Sequence, residues 1–255
     1  MRQIKQAWII TKTTFKNWIR YPENIFGMFL YLGIVAVVGY AFSLSKGILS
    51  VNAVPYYTVG LLIYSILSQQ NGVYIQFGIW KEDILSKPIK PDIFLFGTFF
   101  GGLLTTSLPS IMLFMFVFII YKSAFVIINP VILGLALILG ILSAVGVSYI
   151  FASLGLRFRP EGMVVTIVTF LISIFSGIMI PIYALPEKVR VLSYLIPYTW
   201  AIDLFRYSLL GTETILPTND ELKYLLLSVL VTIVLGKLYL HYTINAIRKK
   251  KVIIR

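Results

Sequence analysis

Five stretches of this chain run for eighteen residues or more without a charged side chain: Ile25–Leu44, Val54–Phe77, Leu95–Tyr121, Val131–Leu156 and Met163–Ile180. A sixth, Leu222–Tyr242, carries Lys223 and Lys237 as its only Lys, Arg, Asp or Glu residues. At a rise of 1.5 Å per residue, such helices cover roughly 30 Å of hydrocarbon. Soluble domains do not supply that much uninterrupted apolar chain. They sit near 45–50% apolar and about 25% charged, whereas this chain is 58% hydrophobic and 13% charged, with mean hydropathy +0.90. The expectation is an all-α polytopic membrane protein with six transmembrane helices, a single domain over residues 1–255. Cysteine is absent, so disulfides and thiolate metal sites are excluded.

The polar segments between the spans divide the chain further. Residues 3–20 interleave Ile4, Trp8, Ile9, Phe15, Trp18 and Ile19 with Lys5, Lys12, Lys16 and Arg20. A basic amphipathic helix with tryptophans fits the plane of a membrane surface, and Pro22 ends or restarts it. The interfacial part is therefore 1–22. No compact apolar core with a small-residue cleavage site precedes it, so a signal peptide is not expected. The second span turns polar in its second half, with Ser65, Ser68, Gln69, Gln70, Asn71, Tyr74 and Gln76. Amides are costly in hydrocarbon, so they face either protein, as helix–helix glue, or an aqueous path.

Residues 78–93 form the most charged interior connector. Trp80, Ile84 and Leu85 share one face of a short helix against Lys81, Glu82 and Asp83, and Lys87-Pro88 and Lys90-Pro91 then break it. It is either a docking helix for a cytosolic partner or an ordinary connector. The third span holds Gly101, Gly102 and a potential kink at Pro109. The fourth holds small residues suited to close packing. The fifth ends in Ser173, Ser176 and Gly177 and leads into 176–211, an apolar stretch punctuated by Pro181, Pro186 and Pro197. It reads as a re-entrant, extracellular hairpin, with an amphipathic helix at 187–194 and an Asp203–Arg206 pair at helical spacing. Lys237 snorkels toward headgroups, and the lone His241 makes no metal cluster.

Orientation follows from the basic residues. With both termini in the cytoplasm, the inner segments hold fifteen Lys and Arg and the outer loops six. The net charge of +12 is thereby used for orientation, and no nucleic-acid partner is implied. Neither a GxxxxGK[ST] phosphate loop nor an HExxH site appears. The chain is not expected to be an enzyme or to carry a cofactor.

SGIMIP at 176–181, LP at 185–186 and IPYTWAIDLFRYSLLG at 196–211 resemble the C-terminal hallmark of the type-2 ABC exporter permeases, and KEDILSKPIKP at 81–91 resembles their coupling helix. The resemblance covers nearly the whole chain. It implies a permease dimer in the plasma membrane, most simply a homodimer, in contact with lipid. Each copy is paired with a separate ATP-binding subunit that carries ATP and Mg. It places Trp80, Lys81, Glu82, Asp83, Ile84, Leu85, Lys87 and Pro88 in a groove of that ATPase. Ser65, Ser68, Gln69, Asn71, Ser173 and Ser176 fall on the path, because the second and fifth spans line it. Gly177, Pro181, Pro186, Pro197, Asp203 and Arg206 fall in the extracellular cap. RYPENIFGMFLY at 20–31 is closer to the drug-exporter branch, which implies hydrophobic or amphipathic cargo. The alternative is polysaccharide or lipid-linked cargo.

Overall fold

The computed structural model describes residues 2–23, 26, 53–86, 90–158, 163–178 and 181–253. The expected first span, 25–44, lies outside them, as do Lys87 and Pro88. The described residues form an all-helical bundle: α1 Arg2–Arg20, α2 Ala53–Leu67, α3 Gln70–Ile79, α4 Lys81–Ser86, α5 Pro91–Ile120, α6 Pro130–Arg157, α7 Met163–Phe175, α8 Glu187–Leu195, α9 Pro197–Leu210 and α10 Thr218–Ile253. Among the described residues, three helices are long and apolar enough to cross a bilayer: Pro91–Ile120, Pro130–Arg157 and Thr218–Lys249. Their exteriors are apolar. Met115, Phe116 and Ile119 of α5 and Leu227, Leu230 and Leu238 of α10 are all exposed. In water such continuous apolar faces would drive association; hydrocarbon is the solvent that suits them.

The helices begin and end where local chemistry dictates. Pro130 occupies the first turn of α6, where its missing N–H costs nothing. Asn129 caps that helix by accepting from the Val131 and Ile132 amides at 3.0 and 3.2 Å. Pro109 sits inside α5 without ending it. The seam between α6 and α10 is set by two glycines. A methyl on Gly236 would lie 2.6 Å from the Gly146 carbonyl, and one on Gly146 would lie 2.7 Å from the Ile233 amide. Backbones this close gain dispersion contacts without long side chains. At the far end of the same seam, Arg157 donates to Thr243 at 3.2 Å and lies over the rings of Tyr239 and Tyr242.

Two elements differ from the sequence expectation. The second span, expected as one helix over 54–77, breaks at Ser68–Gln69 into α2 and α3. In an unbroken helix the Ser65 carbonyl would accept from the Gln69 backbone. Here the Gln69 amide N–H turns to the Leu67 carbonyl at 2.9 Å. The Gln69 side-chain Nε2 takes the Ser65 carbonyl instead, at 2.5 Å, and Thr106 of α5 donates to that same oxygen at 3.1 Å. The side-chain amide substitutes for the backbone, so the Ser65 carbonyl keeps a partner where the helix ends. The second difference concerns α7, which stops at Phe175 rather than near residue 180.

The N-terminal helix does two things at once. Thr11 donates to the Gly97 carbonyl at 3.1 Å and Ile10 and Thr14 close over Gly97 and Gly101, so α1 is fastened along the first half of α5. Ile4, Trp8 and Ile9 of the same helix stay exposed. The alternation of apolar and basic residues thus supplies one face for protein and a second for another apolar medium.

Candidate functional site at the C-terminal end of α9

The bundle has two distinct ends. At one lies α4. At the other, about 45 Å away by the length of α5, lie the α5–α6 loop and the C-terminus of α9. Helix α9 descends into the bundle from the second end. Its last carbonyls, Ser208 and Leu209, accept from the amides of Ile128 and Val126 in the α5–α6 loop. Its first turn reaches the α2–α3 break, where the Tyr198 hydroxyl donates to Gln70 Oε1 at 3.1 Å. Pro197 opens the helix, and α8 leads into it through a tight corner: Thr199 donates to the Ser193 carbonyl and Trp200 Nε1 to that of Tyr194. The rings of Tyr194, Trp200 and Tyr224 stack across that corner.

Arg206 is the centre of this end. It is 2% exposed, and its guanidinium lies 3.7 Å from the centroid of the Tyr56 ring. Nε donates to the Tyr56 carbonyl at 3.1 Å, Nη1 to Gly177 at 2.8 Å and Nη2 to Ile178 at 3.4 Å. One side chain of α9 therefore ties the start of α2 to the end of α7. A buried cation is tolerated only where its donors are used. The carbonyls just past the C-terminus of α7 also carry the negative end of that helix's dipole. Gly177 ends α7 with φ 81°, a left-handed conformation that presents its carbonyl to the guanidinium. Gly60 makes the room: a methyl there would lie 2.1 Å from Nη2, inside the volume the guanidinium occupies.

The Asp203–Arg206 ion pair expected from the spacing is not formed. The carboxylate of Asp203 accepts from the Ile215 amide at 2.9 Å, and Glu221 of α10 accepts from the next amide, Leu216, also at 2.9 Å. The two carboxyls thus clamp the segment between α9 and α10. Beside them is a cavity of about 440 Å³ lined by Tyr56, Tyr183, Arg190, Asp203, Thr212 and Glu213, among others. Arg190 spends its donors on the carbonyls of Leu185 and Tyr183, pinning the turn at 182–184 to α8. Thr212 is buried, and its hydroxyl has no hydrogen-bond partner among the described residues.

The other predicted residues are distributed as follows. Pro181 and Pro186 each precede a helical turn, and Pro197 starts α9. Ser176 reaches the cavity wall, and Ser173 is buried one turn before it. Ser65 and Gln69 are buried and engaged with α2 and α5, while Ser68 and Asn71 are half-buried. At the opposite end, α4 is a helix as expected, but its apolar residues do not share one environment. Ile84 is 1% exposed, turned into the chain's own core, whereas Trp80 is 47% exposed. Lys81, Asp83 and Leu85 are half-buried and Glu82 is exposed. Sequence reasoning passed over Gly60, Tyr56 and Thr106. A glycine in a helix interior costs roughly 1 kcal/mol against alanine, and that cost is the signal that would have singled out Gly60.

None of the curated proteins compared with this chain matches it. The profile of the ABC-2 type transporter family matches residues 5–210, from α1 through the last residue of α9 and including Arg206. With an all-helical bundle, bilayer-length helices and a family match over most of its length, the chain belongs to the ABC-2 type transporter family, as a membrane subunit.

Proposed function

We propose that this subunit crosses the membrane six times, dimerises with a second copy, and exports hydrophobic or amphipathic compounds such as drugs. A separate ATP-binding subunit, which carries ATP and Mg, drives it. Both termini and α4 then face the cytoplasm. The C-terminal end of α9 faces outward, and α8–α9 form a re-entrant cap over a path flanked by α2–α3 and α7. The observation that carries the reading is the placement of α4. It is a six-residue charged helix at the end of the bundle opposite the α9 junction, entered through the exposed Trp80 and carrying the exposed Glu82. Family membership supplies the expectation of an ATP-binding partner, and the sequence has no phosphate loop of its own.

Work reaches the path by differential contact. Nucleotide closes the ATPase dimer, α4 moves with the groove that holds it, and α3, which runs directly into α4, transmits the shift. Nucleotide can drive this only because the contacts differ between the two states. The exposed apolar face of α1 rests on the inner headgroups. The chain is purified from the membrane, its ATP-binding subunit is recovered with it, and the pair is reconstituted in liposomes. Drug-like amphiphiles are expected to raise ATP turnover. Stimulation by glycolipids alone points to the polymer or lipid branch, and failure to recover any ATP-binding subunit sinks the proposal.

A further inference from the structure

We propose that Arg206 is a positioning residue of the transport cycle. While the path is closed at the α9 end it latches α2 and α7 to α9, and opening at that end releases its three carbonyl contacts. The proposal rests on the reading above that α2 and α7 flank the path.

A bidentate carboxylate is the strongest partner an arginine can take, and neutral carbonyls hold it less tightly. Arg206 is held by three neutral carbonyls, two from the end of α7 and one from α2, although Asp203 stands one turn away on its own helix. Asp203 lines the same 440 Å³ cavity as Arg206 and holds the Ile215 amide instead. A second, charged partner is thus at hand. Exchanging the carbonyls for Asp203 keeps the cation satisfied, and it frees Tyr56, Gly177 and Ile178 together. That gives the junction two discrete arrangements, which a two-state element requires.

The remaining contacts at this end favour the same conclusion. Asp203 and Glu221 hold neighbouring amides of the α9–α10 segment, and Arg190 holds the turn at 182–184. Each of these closes a local loop. Arg206 instead joins helices distant in sequence, reaching 150 residues back to Tyr56. Farther along the α2–α7 seam, the Tyr64 hydroxyl donates to the Thr169 carbonyl at 3.3 Å. Gly60 fits the latch rather than the helix, since its missing side chain is the space the guanidinium fills.

The absence of cysteine makes the test clean. Ser173→Cys places one thiol on α7, a turn before Gly177, at a position 6% exposed. The full chain is expressed with its co-purifying ATP-binding subunit. Intact cells, energised or depleted of ATP, are then treated from outside with a membrane-impermeant maleimide. The chain with Arg206 intact should label faster in energised than in depleted cells. Arg206→Leu and Gly60→Ala should label in depleted cells at least about tenfold faster than the intact chain, a tenfold change being about 1.4 kcal/mol. Arg206→Lys, which reaches fewer carbonyls, should fall between. If Arg206→Leu does not accumulate, Gly60→Ala and Arg206→Lys decide the matter. A role confined to folding would lower the amount of protein but would not make labelling depend on energy. Equal labelling of the intact chain in energised and depleted cells, or variants that accumulate normally yet label at the intact depleted rate, overturns the latch. Recovery of the ATP-binding subunit tests the transporter reading separately, so the two failures are distinguishable.

Discussion

Gly236 and Arg206 show how much of this fold depends on side chains that are missing or unusually placed. Gly236 contributes nothing but its lack of a methyl, which lets α10 approach the Gly146 carbonyl. Gly236→Val puts three carbon atoms where there is no space for one. Overpacking of this kind typically costs about 1–3 kcal/mol. The expected result is a lower melting temperature of the purified chain in detergent, together with greater protease sensitivity of α10. An unchanged melting temperature would mean that the α6–α10 seam relaxes freely. Gly146 is inconspicuous in a span already rich in small residues, and Gly236 is a lone glycine in a leucine-rich one. The pairing of Gly146 with Gly236 needs both helices in place before it can be seen. Arg206 was legible as a candidate from the resemblance of the stretch around it. Its partners were not: spacing pointed to Asp203, three residues away, whereas the bonds run to carbonyls 28, 29 and 150 residues distant in sequence.

Helix α4 illustrates the same division between elements. Its start after Trp80, its charge and its stop before the lysine–proline pairs are all local properties, and the helix forms where expected. Which of its side chains are free is not local. Ile84 packs into the chain's own core and Trp80 does not, so equivalent truncations should separate two functions. Trp80→Ala is expected to weaken association with the ATP-binding subunit while leaving the melting temperature nearly unchanged. Ile84→Ala should cost about 2–4 kcal/mol of stability, as buried aliphatic truncations do. It should affect association only through that loss. A pull-down titration beside a thermal melt reads both outcomes. If Ile84→Ala alone abolished association at full stability, the assignment of outward faces on α4 would be wrong. The break between α2 and α3 belongs to the same scale. Seven polar residues crowded into half a span announce that something departs from a plain lipid-facing helix. The side-chain exchange by Gln69 that ends α2 depends on Thr106 being opposite, and only packing brings it there.

At the scale of the whole molecule, the two ends of the bundle carry different chemistry. The α4 end joins α1, with its basic residues and its exposed Trp8, to the cation clamp at Arg157. The α9 end joins the buried cation, the clamped α9–α10 segment and the polar cavity. Membrane insertion with the α4 end inside places the basic residues on the cytoplasmic side. Protease mapping of sealed vesicles should then cut near residues 81–90 only from the cytoplasmic face and at Glu213–Pro217 only from the outside. The reverse pattern would remove the ATPase docking argument with it.

What the sequence alone determined is the class of this protein. Uncharged runs of bilayer length, charge confined between them and proline-punctuated corners are consequences of what hydrocarbon and the backbone permit, and they act within a few turns of chain. Helix ends at Asn129–Pro130 and Pro197 followed from the same local rules. The tertiary structure alone decided which polar groups meet. The guanidinium found three carbonyls from two other helices, Gln69 found Thr106, and Ile84 turned inward. Hydrogen bonds and close backbone approach are short-ranged, so they are chosen by which helices become neighbours, and neighbours distant in the chain leave no periodicity in it.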